Sequence, residues 1–373
     1  MKNIFGNSLT VTLFGESHGP AIGAVLDGLA PGIKIDEDYI NSKLDQRRPV
    51  DKISTPRKEA DMPEIISGVF NGYTTGTPLC LIIKNENVKS GDYDSISRLA
   101  RPSHADLTAR YKYGGFEDYR GGGHFSGRIT AALVAAGSIA RKALEDKDIF
   151  IGTHISECAG IRDKGFADLY TDIAEVNEKG FPVLDDQAAS AIRAAMEAAA
   201  SEGDSVGGIL ETAVTGMPCG IGEPGFDTVE SMLAHGIFAI PAVKGIEFGA
   251  GFDICRMKGS QANDAMRYED GKVVTVTNNS GGINGGITNG MPVVFRTAIK
   301  PTPSIFKAQE TVDLLKGENA VLELKGRHDP AIIHRARAVV DAVTALVLAD
   351  LLTMRFGTDY LKTEEQSNTG EHI

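Results

Sequence analysis

Hydrophobic and polar residues follow strand-like and helix-like periods in turn along this chain. Alternating positions predict strands at 8–14, 21–27, 64–70, 78–84, 149–156, 205–216, 243–248, 273–277 and 292–299. Apolar residues at helical spacing predict helices over 36–48, from 126 onward, and over 185–203, 227–238 and 330–354. The stretch 157–184 is polar and irregular.

The order of these elements predicts an α+β fold. Strand pairs followed by helices, without regular βαβ units, indicate antiparallel β-sheets layered with helices. Neither an internal repeat nor a linker is apparent in the sequence. We therefore predict a single large domain over residues 1–357, followed by a polar, disordered tail at 358–373.

The stretch 101–128 departs most clearly from a core pattern. It contains two histidines, four arginines, one lysine and a glycine triplet, with almost no aliphatic side chain. Burying so many unpaired charges would be costly, so the segment either lies in solvent or lines a polar site. The sequence leaves both interpretations open.

The helix that follows this stretch favours a ligand site without deciding it. Glycines 121–123 lead into the helix, and Ser126 is predicted as its N-cap. Free backbone N–H groups and the positive end of a helix dipole suit a phosphate group. A solvated basic loop explains the same residues equally well.

Charge narrows the class of ligand. The 373-residue chain has a formal net charge of −12, which argues against nucleic acid or an anionic membrane as a partner. Basic residues are nevertheless crowded at 47–58, 101–128 and 327–337, a pattern that suits a small polyanion or a solvated face.

Four scattered cysteines without a Cys-x-x-Cys pair indicate neither a zinc site nor a disulfide framework, so no metal is expected. No apolar run approaches the ~20 residues of a membrane span, and the N-terminal residues lack a signal-peptide core. We expect a cytoplasmic protein.

Histidines supply the candidate acid–base chemistry. His18 lies between two glycines after a predicted strand, and His104 lies in the basic stretch with Asp106 close by. Asp329, followed by Pro330, is predicted as the N-cap of the last helix. Neither a P-loop nor a Rossmann glycine motif is present. These residues predict a basic, glycine-lined pocket for phosphorylated or carboxylated small molecules, but they name no reaction.

Eleven short motifs, spread over almost the whole chain, resemble those of the chorismate synthase family and stand in family order. They are GESHG (15–19), LDGLAPG (26–32), DQRRP (45–49), RPSHAD (101–106), KYGGFEDYRGGG (112–123), EGDSVGG (202–208), GEPGFD (222–227), AVKGIEFG (242–249), GGINGGITNG (281–290), KPTPS (300–304) and GRHDP (326–330). The resemblance implies a β-α-β sandwich and a lyase. That enzyme removes phosphate from 5-enolpyruvylshikimate 3-phosphate by 1,4-anti elimination, giving chorismate in the shikimate pathway to the aromatic amino acids, with reduced FMN as a cofactor that is not consumed.

Matching the family motifs residue by residue assigns site roles. His18 would protonate the departing phosphate, His104 would support the reduced flavin, and Asp329 would act as a base. Substrate contacts would come from Ser17, Arg47, Arg48, Lys52, Arg128 and Arg335. Flavin contacts would come from His124, Phe125, Ser126, Pro241, Ala242, Gly285, Lys300, Pro301, Thr302, Pro303, Ser304 and Arg327.

Departures from the family pattern bear on these assignments, among them Pro241 in place of a usual polar residue. Many members read G-R-S-S-A-R after the glycine triplet, whereas this chain reads Gly-His-Phe-Ser-Gly-Arg over 123–128. Lys52 stands where arginine is common, which keeps the charge but loses the bidentate fork.

The resemblance also implies a homotetramer and leaves NADPH as an indirect reductant of the flavin. Two alternatives to the lyase stay open. One is a non-catalytic sensor of phosphorylated metabolites derived from the enzyme, and the other is a net flavin oxidoreductase.

Overall fold

The computed structural model describes residues 3–48, 53, 61–86, 98–324 and 329–363. Within these ranges the α-helices are α1 (Glu37–Asp45), α2 (Asp106–Tyr113), α3 (Thr130–Glu145), α4 (Leu169–Glu178), α5 (Asp186–Ser201), α6 (Val229–Phe238), α7 (Gly259–Ala262) and α8 (Ile333–Phe356). Short 3-10 helices span Arg120–Phe125, Gly127–Ile129, Gly251–Arg256 and Thr358–Leu361.

The strands are short and most of them belong to two sheets. They are β1 (Ile4–Phe5), β2 (Thr10–Gly15), β3 (Ala21–Asp27), β4 (Pro63–Ser67), β5 (Val69–Phe70), β6 (Tyr73–Thr74), β7 (Leu79–Lys84), β8 (Phe150–Cys158), β9 (Ile161–Arg162), β10 (Gly208–Thr215), β11 (Val243–Phe248), β12 (Met266–Glu269), β13 (Lys272–Thr275), β14 (Ile283–Asn284), β15 (Ile287–Thr288), β16 (Val293–Ile299), β17 (Gln309–Asp313) and β18 (Glu318–Leu322).

Two antiparallel five-stranded sheets enclose a helical layer. The first has the order β1-β2-β3-β7-β4 and the second has the order β11-β16-β10-β8-β9. Helix α3 packs against β2, β3 and β7, helix α8 packs against β8 and β10, and the two helices pack against each other. The predicted α+β sandwich of antiparallel sheets and helices is confirmed.

Helices α3 and α8 form the centre of the core because almost all of their residues are buried. They cross closely at Gly137, where an added Cβ would lie 2.5 Å from the Cβ of Ala342. Beside this crossing, Arg141 Nη1 donates to Asp341 Oδ2 over 3.0 Å, and Thr153 Oγ1 donates to Asp341 Oδ1 over 2.6 Å. Arg141 and Asp341 are 2% and 1% exposed, so this ion pair belongs to the interior.

Most of the predicted helices and strands are present, with shifted ends. Helix α4 was not predicted, because it is only 10 residues long, its buried apolar residues are Ile173 and Val176 alone, and its Asp168 N-cap stands in a polar stretch. Helix α2 was missed for a similar reason, since Ala109 is its only buried residue. The hairpin of β17 and β18 was also missed.

Two predicted ends need correction. Asp329 is not the N-cap of the last helix, because α8 begins at Ile333 after Ile332 and has no side-chain cap. The stretch predicted as a disordered tail begins with the 3-10 helix Thr358–Leu361, whose Leu361 is buried, so order extends further than predicted. Residues 364–373 lie outside the described residues.

We expect Asp341→Ala to lower the free energy of unfolding by about 3–5 kcal/mol, because it removes the carboxylate from the buried Arg141 guanidinium. Denaturant unfolding followed by circular dichroism measures the change. Asp146→Ala is the matched control. Asp146 pairs with Lys142 at a more exposed position near the end of α3, the helix that carries Arg141. Its removal should change the free energy of unfolding by less than about 1 kcal/mol. Equal losses in the two variants would contradict the prediction.

Candidate active site

His18 lies in the turn between β2 and β3. Both Ser17 and His18 are buried there. Asn85, which follows β7, holds this turn from the side: its Nδ2 donates to Glu16 O over 3.0 Å and to Gly19 O over 2.8 Å. The neighbouring strands therefore fix the position of the histidine before any ligand binds.

The glycine triplet lies between the two predicted catalytic histidines. A Cβ added to Gly121 would lie 2.6 Å from Cδ2 and 2.7 Å from Nε2 of His18, whereas one added to Gly122 would lie 3.3 Å from Cε1 of His104. All three glycines have positive φ, between 54° and 84°, a conformation that side chains disfavour. Successive glycines thus face one histidine each, and the structure brings His18 and His104 to the same loop.

His104 is part of a compact group of charges at the start of α2. Its Nδ1 lies 2.8 Å from Asp106 Oδ1 and 3.0 Å from Arg101 Nη2. Arg101 also donates to both carboxylate oxygens of Asp106, with Nε and Nη2 each 2.7 Å away. Burial opposes ionisation of Asp106, but the hydrogen bonds from Arg101 and then from His104 outweigh it and lower the pKa of this carboxyl.

Two predicted substrate arginines converge on a carboxylate that the sequence did not single out. Arg47 Nη1 donates to Asp61 Oδ2 over 3.0 Å, and Arg128 Nη1 pairs with Asp61 Oδ1. Arg128 Nε also donates to Asn85 Oδ1 over 3.0 Å, which links this arginine to the turn that carries His18. All three charged side chains are almost fully buried.

Asp329 and Arg335 extend this cluster from the beginning of α8. Arg335 Nη1 donates to Asp329 Oδ2 over 2.7 Å, and Arg335 Nε donates to the backbone oxygen of Arg47 over 2.6 Å. Arg47 Nη2 in turn donates to the backbone oxygen of Gly127 over 3.1 Å. The third predicted catalytic residue is therefore connected through arginines to the loop that leads into α3.

The segment 300–304 follows β16 of the second sheet and approaches the turn that precedes His104. Lys300 Nζ donates to Ser103 O over 2.5 Å, and the Lys300 N–H donates to Ala242 O over 3.0 Å. Burial, and then the charge of Lys244, lower the pKa of Lys300. The backbone oxygen of Thr302 accepts from Ser205 Oγ over 2.7 Å. These contacts bring Ala242 and Lys300 beside the turn that precedes His104.

Polar groups with unused hydrogen-bonding capacity remain in this segment. Thr302 Oγ1 is buried and has no hydrogen-bond partner within the described ranges of the chain. Ser304 is also buried, whereas the neighbouring Pro301 and Pro241 are more exposed. Pro303 completes the segment and is partly exposed. A buried hydroxyl of this kind suits a polar ligand better than it suits an apolar core.

Residues 124–126, where the sequence departs from the family pattern, are held by a contact to a backbone oxygen, a contact between aromatic rings and a helix cap. His124 Nδ1 lies 2.8 Å from Gly15 O, and Phe125 meets Tyr113 edge-on, with ring centroids 6.1 Å apart. Ser126 Oγ accepts from the Arg128 N–H over 3.3 Å. Ser126 is therefore an N-cap, as predicted, but of the short 3-10 helix Gly127–Ile129 that precedes α3.

Among the described residues, two predicted site residues are not brought into this cluster. Arg48 is largely exposed and pairs with Asp45 over 2.8 Å. Gly285 lies in the tight turn between β14 and β15, whose next residue, Gly286, packs against Thr228 at the start of α6. Lys52 and Arg327 lie outside the described residues.

Sequence reasoning missed three residues that organise the site. Asp61 and Asn85 stand far along the chain from the arginines and the His18 turn that they contact, so local motifs do not reveal them. Arg101 was noticed only as one charge in a basic stretch. Its spacing from Asp106, five residues on, was the available signal for the pair that holds His104.

The family model for chorismate synthase matches residues 9–353 of the chain. The chain belongs to the chorismate synthase family. It is 47% identical over 353 residues to the chorismate synthase of Dehalococcoides mccartyi strain BAV1, which covers 94% of this chain and 96% of that protein. It is 47% identical over 351 residues to that of Korarchaeum cryptofilum, covering 93% of this chain and 96% of that protein.

A solved chorismate synthase structure superposes on the chain with a TM-score of 0.76 and 27% identity, covering 97% of both chains. Membership of this family makes the chain a carbon–oxygen lyase of aromatic amino acid biosynthesis, acting on a small molecule. No helix in the described ranges combines the length and hydropathy that crossing a bilayer requires.

We expect Gly121→Ala to lower turnover by about 100-fold, because its Cβ would displace the ring of His18, which is predicted to be catalytic, and small displacements of such a group are costly. The backbone conformation alone should cost roughly 1–2 kcal/mol of stability. Gly72→Ala is the matched control, since Gly72 also has positive φ, 79°, but nothing lies within 4 Å of its added Cβ. A comparable loss of turnover in both variants, measured beside their thermal midpoints, would contradict the role given to Gly121.

Proposed function

We propose that this protein converts 5-enolpyruvylshikimate 3-phosphate to chorismate by 1,4-anti elimination of phosphate, with reduced FMN as a cofactor that is not consumed. The observation that carries the proposal is the convergence of His18 and His104 on adjacent glycines beside a cluster of buried arginines. Membership of the family names the reaction, and this geometry supplies groups that suit a phosphorylated, carboxylated substrate.

The residues around His104 and the glycine triplet fit a flavin. The glycine triplet packs its backbone directly against His18 and His104, and Thr302 contributes a buried hydroxyl whose partner is not found in the described chain. We assign flavin binding to the 124–126 loop, Pro241, Ala242 and the 300–304 segment, with Gly285 and Arg327 retained from the family match. When bound, reduced FMN supplies the electron density that assists departure of the phosphate.

Arginines are the natural partners of the substrate's anionic groups. Arg47, Arg128 and Arg335 converge through Asp61, Asp329 and backbone oxygens, so their guanidinium groups are held in place before substrate arrives. Guanidinium groups bind phosphate and carboxylate by paired hydrogen bonds. Ser17, Arg48 and Lys52 complete the substrate contacts that we assign from the family match.

Proton transfer falls to groups at opposite ends of this arrangement. We assign His18, buried against Gly121, as the donor of a proton to the departing phosphate. We assign Asp329, paired with Arg335, as the base, and His104 as the residue that supports the reduced flavin. Histidine suits such roles because its protonation changes near neutral pH.

We further propose that the enzyme acts as a cytoplasmic homotetramer, with NADPH as an indirect reductant of the flavin. Light scattering coupled to gel filtration should give four times the mass of one chain. A single-chain mass at working concentration would overturn the tetramer and leave the reaction assignment untouched.

The decisive assay combines purified protein, chemically reduced FMN and 5-enolpyruvylshikimate 3-phosphate under anaerobic conditions, and follows chorismate and flavin absorbance together. We expect many turnovers with the flavin still reduced at the end. One flavin oxidised for each product formed would support a net oxidoreductase instead. Binding of both ligands without product would support a metabolite sensor.

We expect His104→Ala to fold normally and to lower kcat by about 10²- to 10⁴-fold, the range typical of a removed acid–base group. His235→Ala is the control, because His235 is an exposed histidine on α6 whose ring contacts Phe5. Steady-state kinetics on both variants test the assignment, and near-normal turnover in His104→Ala would overturn it.

A further inference from the structure

The His104 ring is held on one side by two charged groups that have no assigned part in the reaction. Arg101 Nε and Nη2 donate hydrogen bonds to the two carboxylate oxygens of Asp106, and the Arg101 backbone N–H donates to Asp106 Oδ2 over 2.9 Å. Asp106 Oδ1 lies 2.8 Å from His104 Nδ1. Arg101 and Asp106 are largely buried, so solvent does not compete strongly for these hydrogen bonds.

This geometry decides which nitrogen of His104 carries the proton. Nδ1 lies within hydrogen-bond reach of Asp106 Oδ1, which only accepts when ionised, and of Arg101 Nη2, which only donates. The lowered pKa of Asp106 keeps its carboxyl ionised near neutral pH. Arg101 Nη2 already donates one N–H to Asp106 Oδ1 over 2.7 Å, and an unprotonated Nδ1 only 2.8 Å from an ionised carboxylate oxygen would place two acceptors in repulsive contact. Nδ1 is therefore the donor to the carboxylate.

The opposite edge of the ring faces the glycine loop. An added Cβ on Gly122 would lie 3.3 Å from His104 Cε1 and 3.7 Å from Nε2. The loop before the ring is also clamped, because Ser103 adopts a positive φ of 57° and its oxygen accepts from Lys300. One edge of the ring is thus held by charged groups, and the other edge lies toward the glycine loop.

We propose that Asp106, held in place by Arg101, is a positioning residue that keeps a proton on His104 Nδ1 and presents Nε2 to the glycine loop. Asp106 acts through His104 and does not contact the reacting atoms. The catalytic consequence rests on the proposed function, whereas the state of the histidine does not. In the neutral ring Nε2 then accepts a hydrogen bond, and in the protonated ring it donates one.

A purely structural role for the pair is the competing explanation. The bond from the Arg101 backbone to Asp106 closes the turn before α2, and a negative charge in the first turn of a helix is favourable in any case. That role predicts changes in stability but no change in the protonation of a folded histidine. The experiment must therefore read the imidazole itself.

Nuclear magnetic resonance of the flavin-free protein, labelled with ¹⁵N at histidine, reads the ring directly. Comparison with His104→Ala identifies the His104 signals among those of the eight histidines. We expect the wild-type ring to carry its proton on Nδ1 at a pH where it is neutral, and Asp106→Asn to move that proton to Nε2. An unprotonated Nδ1 in the wild-type protein, or an unchanged tautomer in the variant, would overturn the proposal.

Kinetics supply the second measurement. We expect Asp106→Asn to lower kcat by about 100-fold, as expected for a misplaced acid–base proton, while KM changes by less than about threefold. Asp313→Asn is the matched control: Asp313 is even more buried than Asp106, pairs with Arg98 over 2.8 Å and holds the same segment through a bridge to Leu99, but contacts no histidine among the described residues. Equal losses of kcat in the two variants would overturn the catalytic part.

The two measurements separate failure of this proposal from failure of the proposed function. If the wild-type protein makes no chorismate, the tautomer of His104 still decides whether Asp106 positions it. If chorismate forms but the tautomer does not respond to Asp106→Asn, the lyase assignment stands and the positioning role is overturned.

Discussion

The buried ion pair between Arg141 and Asp341 is the constraint on which the rest of the molecule depends. It joins α3 to α8 in the middle of the core, beside a crossing so close that Gly137 has no room for a side chain. Arg128 lies in the short helix just before α3, and Arg335 lies in the first turn of α8. The relative position of these two arginines is therefore fixed by how the two helices pack.

An acidic protein that concentrates guanidinium groups at one place must compensate them internally. Asp61 forms ion pairs with Arg47 and Arg128. Asp329 pairs with Arg335, and Asp106 pairs with Arg101. A buried cation without such a partner would be strongly destabilising. Each carboxylate thus allows the cluster to form during folding, and it also orients hydrogen-bond donors that an entering anion can use.

How much of this structure the sequence predicts depends on whether a feature is marked by a local pattern or by contacts between residues far apart in the chain. Helices α3, α5 and α8 are 16 to 24 residues long and repeat their apolar positions over several turns, so the sequence shows their helical period, whereas α2 and α4 have only 8 and 10 residues and bury at most two apolar side chains each. Local sequence already marks His18 and His104 as candidates, and the family motifs add the roles of these histidines and of most of the arginines.

Contacts across long separations could not be predicted in the same way. Asp61 and Asn85 meet their partners only after the first sheet and α3 have packed, and no local pattern marks them. For Asp329, by contrast, a local pattern was present but predicted the wrong role. A short pattern of Asp followed by Pro suggested a helix cap, but the helix starts later and the carboxylate binds Arg335 instead.

The glycine triplet has a consequence for how this chain can change over evolutionary time. At 121–123 the backbone conformation and the neighbouring His18, His104 and Asp118 all exclude a side chain, so these positions tolerate almost no substitution. The next residues meet their surroundings through one ring nitrogen and a partly exposed aromatic face. A change of side chain in this loop is therefore tolerated more readily at 124 and 125 than at 121–123, where the backbone itself would have to move.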